Sequence, residues 1–298
     1  MAENQLDGNV IGVSFDGTGF GDDGNIWGGE FFKGGYYGFE RVGHLEYVMM
    51  PGSDSAVKHP WKMALGYLFN ANLTNLVQES KANICSENRL SLSGISQDDI
   101  DFVINMLKRK LNCPQTSSVG RFFDAVSALL EIKTDISYEG QAAIELENYA
   151  VDQNPEPYVI EFSEQNNPSR IMKASFSDSS IDANKERFIA KTSCILKQIV
   201  KDIQDCQSIE CISSRFHCTI ADIVLQGCEI IRNSSGINSV VLSGGVFQNM
   251  TLLKMSVDRL REHGFLVYTH SEVPANDGGI ALGQAMMALA RSVTNPRD

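Results

Sequence analysis

Ser239-Val240-Val241-Leu242-Ser243-Gly244-Gly245-Val246-Phe247-Gln248-Asn249 is the stretch on which the fold turns. Five residues with a β-branched centre read as a buried strand, paired glycines as a tight turn, and the periodic run from about Asn249 to His263 as a helix. The same sequence of events repeats downstream. Residues 265–269 read as a strand, Pro274-Ala275-Asn276-Asp277-Gly278-Gly279 as a loop, and Ile280 to about Arg291 as a helix. Strand, glycine loop, helix, twice over, predicts an α/β arrangement with loops gathered at the strand C-terminal ends, where ligands bind. Paired glycines let backbone approach a ligand, and a helix N-terminus offers free amides to an anion. The spacing is neither G-x-x-x-x-G-K-[ST] nor G-x-G-x-x-G, so a P-loop NTPase or a Rossmann dehydrogenase is not supported.

Working back to the start, residues 10–16 read as a short buried strand ending in an acid. A glycine-dense hairpin follows into strands over 26–33 and 37–45. Asp16-Gly17-Thr18-Gly19 suits a carboxylate and free amides around a metal ion bridging to phosphate, and equally a hairpin turn with Asp as turn-former. Asn276-Asp277-Gly278-Gly279 has the same two readings, a site or an N-cap. Helical periodicity returns at Trp61–Phe69, over 96–111 behind Ser96, over 122–130 and over 141–150, with long helices expected over 184–205 and 215–233. Asp124, in the first turn of its helix, is either a dipole complement or a ligand for ribose hydroxyls. His44 and Arg41 sit together near a strand end, a candidate anion contact. Phe216-His217-Cys218 reads as packing, since no two histidines share a helix face at metal-ligand spacing.

Composition bounds the class. The 298 residues carry 25 Lys+Arg against 37 Asp+Glu, a formal net charge of −12, with 43% hydrophobic and 21% charged residues. That is ordinary globular usage, and the acidity argues against a nucleic-acid backbone binder. Seven cysteines without a C-x-x-C pair predict reduced thiols in the cytoplasm. No apolar run is long enough to span a membrane, and the polar start MAENQLDG is no signal peptide.

Together the motifs resemble a known family. Val13-Ser14-Phe15-Asp16-Gly17-Thr18-Gly19 through Ile26-Trp27-Gly28-Gly29-Glu30-Phe31, then Arg41-Val42-Gly43-His44-Leu45, resemble the HypF carbamoyltransferases that mature [NiFe]-hydrogenases. So do Ser118-Val119-Gly120-Arg121-Phe122-Phe123-Asp124-Ala125, Tyr138-Glu139-Gly140-Gln141, Leu242–Asn249 and Asn276–Gln284, in order along nearly the whole chain. The resemblance implies an actin/Hsp70/sugar-kinase-like α/β fold, two ribonuclease-H-like halves around a nucleotide and metal cleft, the first half incomplete. Residues 1–115 would be the remainder of the first half with a helical insertion. Residues 116–298 would be the nucleotide-binding second half, with a polar insertion near 151–183.

The implied activity is transfer of a carbamoyl group from carbamoyl-adenylate to the C-terminal Cys thiolate of HypE, for the cyanide ligands of the hydrogenase. The implied cofactors are ATP or carbamoyl-adenylate and a divalent metal (Mg, Fe or Zn). By the resemblance, Asp16 and Asp277 hold the metal. Asp124, Gly140, Gly244, Gly245 and Asn249 bind the nucleotide, and Arg41 and His44 are carbamoyl or phosphate contacts. The family's histidine pair, which precedes the strand ending at Asp16, has no counterpart here, nor do the upstream donor-making domains. The chain is therefore expected to be a fragment, with its first strand left short of partners. The alternative reading is a non-catalytic nucleotide-binding scaffold that docks HypE.

Overall fold

The computed structural model describes residues 1–78, 90–151, 155–164, the backbone of 167–172, and 187–294. The strands are β1 (Val10–Phe20), β2 (Ile26–Gly35), β3 (Gly38–Leu45), β4 (Val48–Met49), β5 (Val77–Gln78), β6 (Leu90–Ser91), β7 (Gln115–Thr116), β8 (Phe162–Glu164), β9 (Asn167–Met172), β10 (Phe188–Ala190), β11 (Ser239–Ser243) and β12 (Leu266–Tyr268). The helices are α1 (Asp54–Lys58), α2 (Pro60–Asn70), α3 (Gln97–Arg109), α4 (Val119–Leu129), α5 (Gln141–Glu147), α6 (Thr192–Gln204), α7 (Ile209–Ser235), α8 (Met250–Glu262) and α9 (Ile280–Thr294).

The fold is α/β, as expected, but among the described residues one large sheet takes strands from both sides of residue 115. Its path runs β12-β11-β1-β2-β3-β10-β8-β9. β1, β2 and β3 form an antiparallel meander, whereas β11 lies parallel to β1 and β12 parallel to β11. Pro114 and the polar residues behind it suggest a boundary, yet Thr116 in β7 pairs with Ile26 at the start of β2 and so ties that loop into the sheet. β1 is not short of partners either, because β11 and β2 flank it on both sides. Most of the expected 151–183 insertion lies outside the described residues. Its described parts include β8 and β9, which extend the sheet beyond β10.

Alternation explains the centre of the sheet. Val10, Ile11, Val13 and Phe15 of β1 are buried, and Phe15 stacks on Phe247 at 5.5 Å and meets Phe31 edge-on at 5.7 Å. Every residue of α4 is buried. This helix is packed between α2 and β1, with Tyr67 stacked on Phe122 at 4.6 Å and Phe216 of α7 edge-on to Phe122 at 5.0 Å. The predicted helix over 184–205 starts later, at Thr192. Phe188 and Ala190 point inward with Ile189 between them, so these three residues pair with β3 and β8 as a strand. The next helix starts earlier than expected because Ser208 caps it, accepting the Cys211 amide. Cys113, Cys194, Cys211, Cys218 and Cys228 are free, but Cys206 is disulfide-bonded, so the expectation of reduced thiols fails at that residue.

Candidate functional site

The parallel register of β1 and β11 sets Ser14 opposite Ser243, so the loops after Phe15 and Ser243 leave the sheet side by side. β1 does not end at Asp16. Its pairing with β2 jumps between Phe15 and Gly19, and the resulting bulge lifts Asp16, Gly17 and Thr18 out of the ladder. The Gly17 amide donates to Asp16 Oδ1 at 2.8 Å. Gly244 has φ +104 and ψ 152, and a Cβ there would lie 2.1 Å from the Phe15 carbonyl oxygen. Its amide donates to the Ala275 carbonyl at 2.9 Å, which pins the third loop to the second. In that third loop Asn276 Oδ1 accepts the Gly278 amide, capping the 3-10 turn that begins with Asp277.

Ser118 brings α4 to the same place. Its hydroxyl donates to the Asp16 carbonyl at 2.7 Å and accepts the Arg121 amide at 3.1 Å, so one side chain caps the helix and holds the bulge. Ser118→Ala is expected to cost about 1–2 kcal/mol, the range for a lost N-cap, read as a lower urea midpoint at unchanged slope. An unchanged midpoint would show that the tie carries no weight.

Arg121 and Asp124 then lie on the floor of a cleft of about 720 Å³, with Asp16, Glu139, Gly140, Gly245, Asn249 and Asp277 around it. Arg121 Nη2 meets Asp124 Oδ2 at 2.9 Å, with both side chains almost wholly enclosed. Burial pushes the Asp124 carboxyl up to about 6; Arg121 pulls it down and Glu139 pushes it further up. Gly140 takes φ +78 at the start of α5, a left-handed position that favours glycine. Asn249 caps α8 by accepting the Leu252 amide at 2.8 Å, while its Nδ2 and His217 Nε2 lie 2.9 Å apart. His217 Nδ1 lies 2.8 Å from the Ser213 carbonyl, and burial lowers the imidazole to about 4. At neutral pH the ring is therefore neutral, with Nδ1 donating to Ser213 and Nε2 accepting from Asn249. The packing role expected of His217 thus includes orienting a cleft residue.

The cleft is acidic. Burial raises the Asp16 carboxyl, and the charges of Asp277 and Glu139 raise it further against the amides of Gly17 and Gly245. Arg121 is the one cation among the described residues that line it. An anionic ligand entering such a cleft needs accompanying positive charge. Asp16 and Asp277 supply two carboxylates, but no group of three or more His, Cys, Asp or Glu able to hold a metal occurs among the described residues. The residues present therefore do not fit a resident transition-metal site, which calls for more ligands of this kind.

Arg41 and His44 do not line the cleft. Arg41 lies over the Trp27 ring at 4.0 Å and bonds to Glu30 at 3.0 Å, the Tyr47 hydroxyl at 2.9 Å and Asp23 at 3.2 Å. His44 is buried beside it, held at about 4 by burial and by the Arg41 charge. This cluster reaches the cleft only through its neighbours. Glu30 accepts the Ser117 hydroxyl, and Ser118, next in sequence, holds Asp16. Sequence reading missed Ser118 and Glu139 as cleft-builders. Ser118 ahead of the apolar run 119–129 is itself an N-cap signal that could have found the first.

Residues 12–284 match the family model described as "Carbamoyltransferase, Kae1-like Domain, second subdomain". The single large sheet accords with one subdomain. Over 297 residues the chain is 30% identical to Carbamoyltransferase HypF of Synechocystis sp., covering 97% of this chain and 35% of that protein. It is 32% identical to the probable carbamoyltransferase HypF of Methanocaldococcus jannaschii, covering 98% of this chain and 34% of that one. A Carbamoyltransferase HypF homolog of Cupriavidus necator is 30% identical, with 97% of this chain and 67% of the relative covered. The chain thus spans about a third of the length of the first two relatives. Among solved structures, a full-length HypF in phosphate- and nucleotide-bound form superposes with a TM-score of 0.82 at 36% identity, over 98% of this chain and 41% of that one.

Proposed function

Because the chain belongs to the HypF carbamoyltransferase family, matching its Kae1-like second subdomain, we propose that its cleft binds an adenine nucleotide and that it takes part in carbamoyl transfer. The observation that carries this reading is convergence. The bulge at Asp16, the Gly244-Gly245 turn, the Asp277 turn and the buried Asp124 meet around one cleft of about 720 Å³. That volume suits a nucleotide-sized ligand. A relative of the same fold was solved with phosphate and nucleotide bound.

In this reading Asp124 and Gly140 face the ribose, and the Gly244-Gly245 turn lies against the phosphate. The acidity of the cleft favours a nucleotide that arrives with Mg²⁺ on its phosphate, as part of the substrate. The donor is carbamoyl-adenylate and the acceptor a cysteine thiolate at the C-terminus of HypE, in cytoplasmic hydrogenase maturation. The thiolate sulfur forms a bond to the carbamoyl carbon, and the bond from that carbon to the phosphate oxygen breaks. AMP leaves with the electron pair. What this chain contributes is binding and orientation: buried Asp124 fixed by Arg121, and Asn249 fixed by His217.

Isothermal titration with ATP and Mg²⁺ tests the reading, with Asp277→Ala alongside. Binding that weakens at least tenfold in the variant is the expected result. Equal binding by both proteins would remove Asp277 from the site. No binding by the wild-type chain would overturn the nucleotide reading. The non-catalytic reading gains its support from the incomplete ligand set at Asp16 and Asp277. It predicts nucleotide binding with no transfer of radiolabelled carbamoyl to HypE.

A further inference from the structure

A second hollow, of about 350 Å³, shares Asp16, Asn276 and Asp277 with the cleft and is lined elsewhere by Glu3, Ser243 and His270. Ser243 closes β11, and His270 lies two residues past β12, so the parallel pairing of these strands carries both side chains to one end of the sheet. Ser243 Oγ lies 3.0 Å from His270 Nε2. The other ring nitrogen, Nδ1, stands 3.5 Å from Glu3 Oε2. Hydroxyl, imidazole and carboxylate thus lie in a row. That is the order of a nucleophile, its base and the acid that orients the base.

Two features set this row apart from a structural tie. Glu3 Oε1 accepts the Ser271 hydroxyl at 2.6 Å, the Glu272 amide at 2.7 Å and the Ser271 amide. Those bonds hold the carboxyl at about 2, so Glu3 is charged at neutral pH. Its remaining oxygen, Oε2, and His270 Nδ1 are both buried and make no hydrogen bond, yet they face each other. A buried polar atom left so costs about 1–3 kcal/mol, and a catalytic role is one of the few reasons to keep it. Such pairs are long in unliganded enzymes and tighten around substrate. A proton on Nδ1, favoured by the Glu3 charge, leaves Nε2 to accept from Ser243. We propose that Ser243 is a nucleophile toward small activated esters, with His270 as its general base and Glu3 as the positioning residue. Ser243 Oγ forms a bond to the carbonyl carbon while His270 Nε2 takes its proton. The bond from that carbon to the leaving oxygen breaks, and His270 passes the proton to that oxygen. Water then attacks the same carbon, the bond to Ser243 breaks, and the hydroxyl recovers its proton. A hollow of this volume admits a small acyl or carbamoyl ester and not a long-chain one. The proposal stands apart from the nucleotide reading and does not depend on it.

Diisopropyl fluorophosphate tests this on the whole chain without nucleotide, because an activated serine oxygen displaces its fluoride and keeps the phosphoryl group. The expected result is one phosphoryl group per chain, placed on Ser243 by peptide mass spectrometry. It is absent from Ser243→Ala and forms at least about tenfold more slowly in His270→Gln and Glu3→Gln. Ser14→Ala, which removes the hydroxyl paired opposite Ser243 in the same hollow, is labelled like the wild type. Release of nitrophenol from p-nitrophenyl acetate follows the same order. Ser243→Ala and His270→Gln keep the wild-type thermal melt, which separates lost chemistry from lost fold. A wild-type chain that stays unlabelled, a label on another residue, or equally fast labelling of His270→Gln overturns the inference.

Discussion

Gly244→Ala is expected to lower stability by about 4 kcal/mol and to abolish nucleotide binding. Two costs combine. The backbone at φ +104, ψ 152 lies in a region only glycine enters readily, worth about 1–3 kcal/mol of strain. The added methyl would stand 2.1 Å from the Phe15 carbonyl oxygen and 2.8 Å from the Phe15 nitrogen, so β1 and β11 must part, at a further 1–3 kcal/mol or about that. The strand that yields is the one leading into Asp16, so the carboxylate moves with it. For a chain of this size the melting temperature should fall by about 10 °C. Gly283→Ala is the control. Nothing lies within 4 Å of a Cβ there, and alanine inside α9 should gain up to about 1 kcal/mol. A wild-type melt for Gly244→Ala would mean that the close approach of the two strands is relaxed in solution.

Arg121→Met is expected to cost about 3–5 kcal/mol at pH 8, the range for removing one partner of a buried ion pair. The cost should shrink toward pH 5. Asp124 already titrates near 6 in the folded protein against an ordinary 3.8, so the folded state holds a proton that the unfolded state has released. Its contribution to stability is complete below about pH 3.8 and is lost as the pH rises through about 6. Taking away the Arg121 charge moves the folded value higher still and extends that loss into the neutral range. Urea denaturation of wild type and variant at pH 8 and pH 5.5 reads the difference. Arg121→Met/Asp124→Leu should recover most of the stability at pH 8, because no buried charge is then left alone. A cost that is the same at both pH values would show that Asp124 is not the group left uncompensated.

Much of this was legible in the chain itself, for identifiable reasons. Asp16, Gly244-Gly245 and Asp277 each follow or precede a strongly periodic segment, and glycines mark tight backbone at a sequence level. Asp124 reads as a first-turn acid, but α4 begins at Val119 and places it in the second turn, so burial beside Arg121 rather than the helix start sets its environment. Other features depend on contacts between distant segments. Nothing near Ser118 in sequence says that its hydroxyl meets the Asp16 carbonyl, 102 positions away. Arg41 and His44 read as an anion contact because a cation and an imidazole sit together near a strand end. Glu30, Asp23 and Trp27 claim the Arg41 guanidinium instead. The boundary at residue 115 followed composition, which carries no record of the parallel pairing between β1 and β11.

That pairing has a consequence for how the molecule is made. Ile11 faces Val240, and Val13 faces Leu242, so the second neighbour of the first strand is translated almost last. At about 5–20 residues per second, a growing chain carries β1 with one open apolar edge for on the order of tens of seconds. Such long-range parallel contacts are slow to form and leave the nascent chain prone to association during that wait. The cleft takes Asp16 and Gly17 from the start of this interval, Arg121, Asp124 and Glu139 from its middle, and Gly245, Asn249 and Asp277 from its end and beyond. The cleft proposed to bind nucleotide is thus complete only once the sheet has closed, and the binding-competent fraction in a titration would count the molecules that have finished folding.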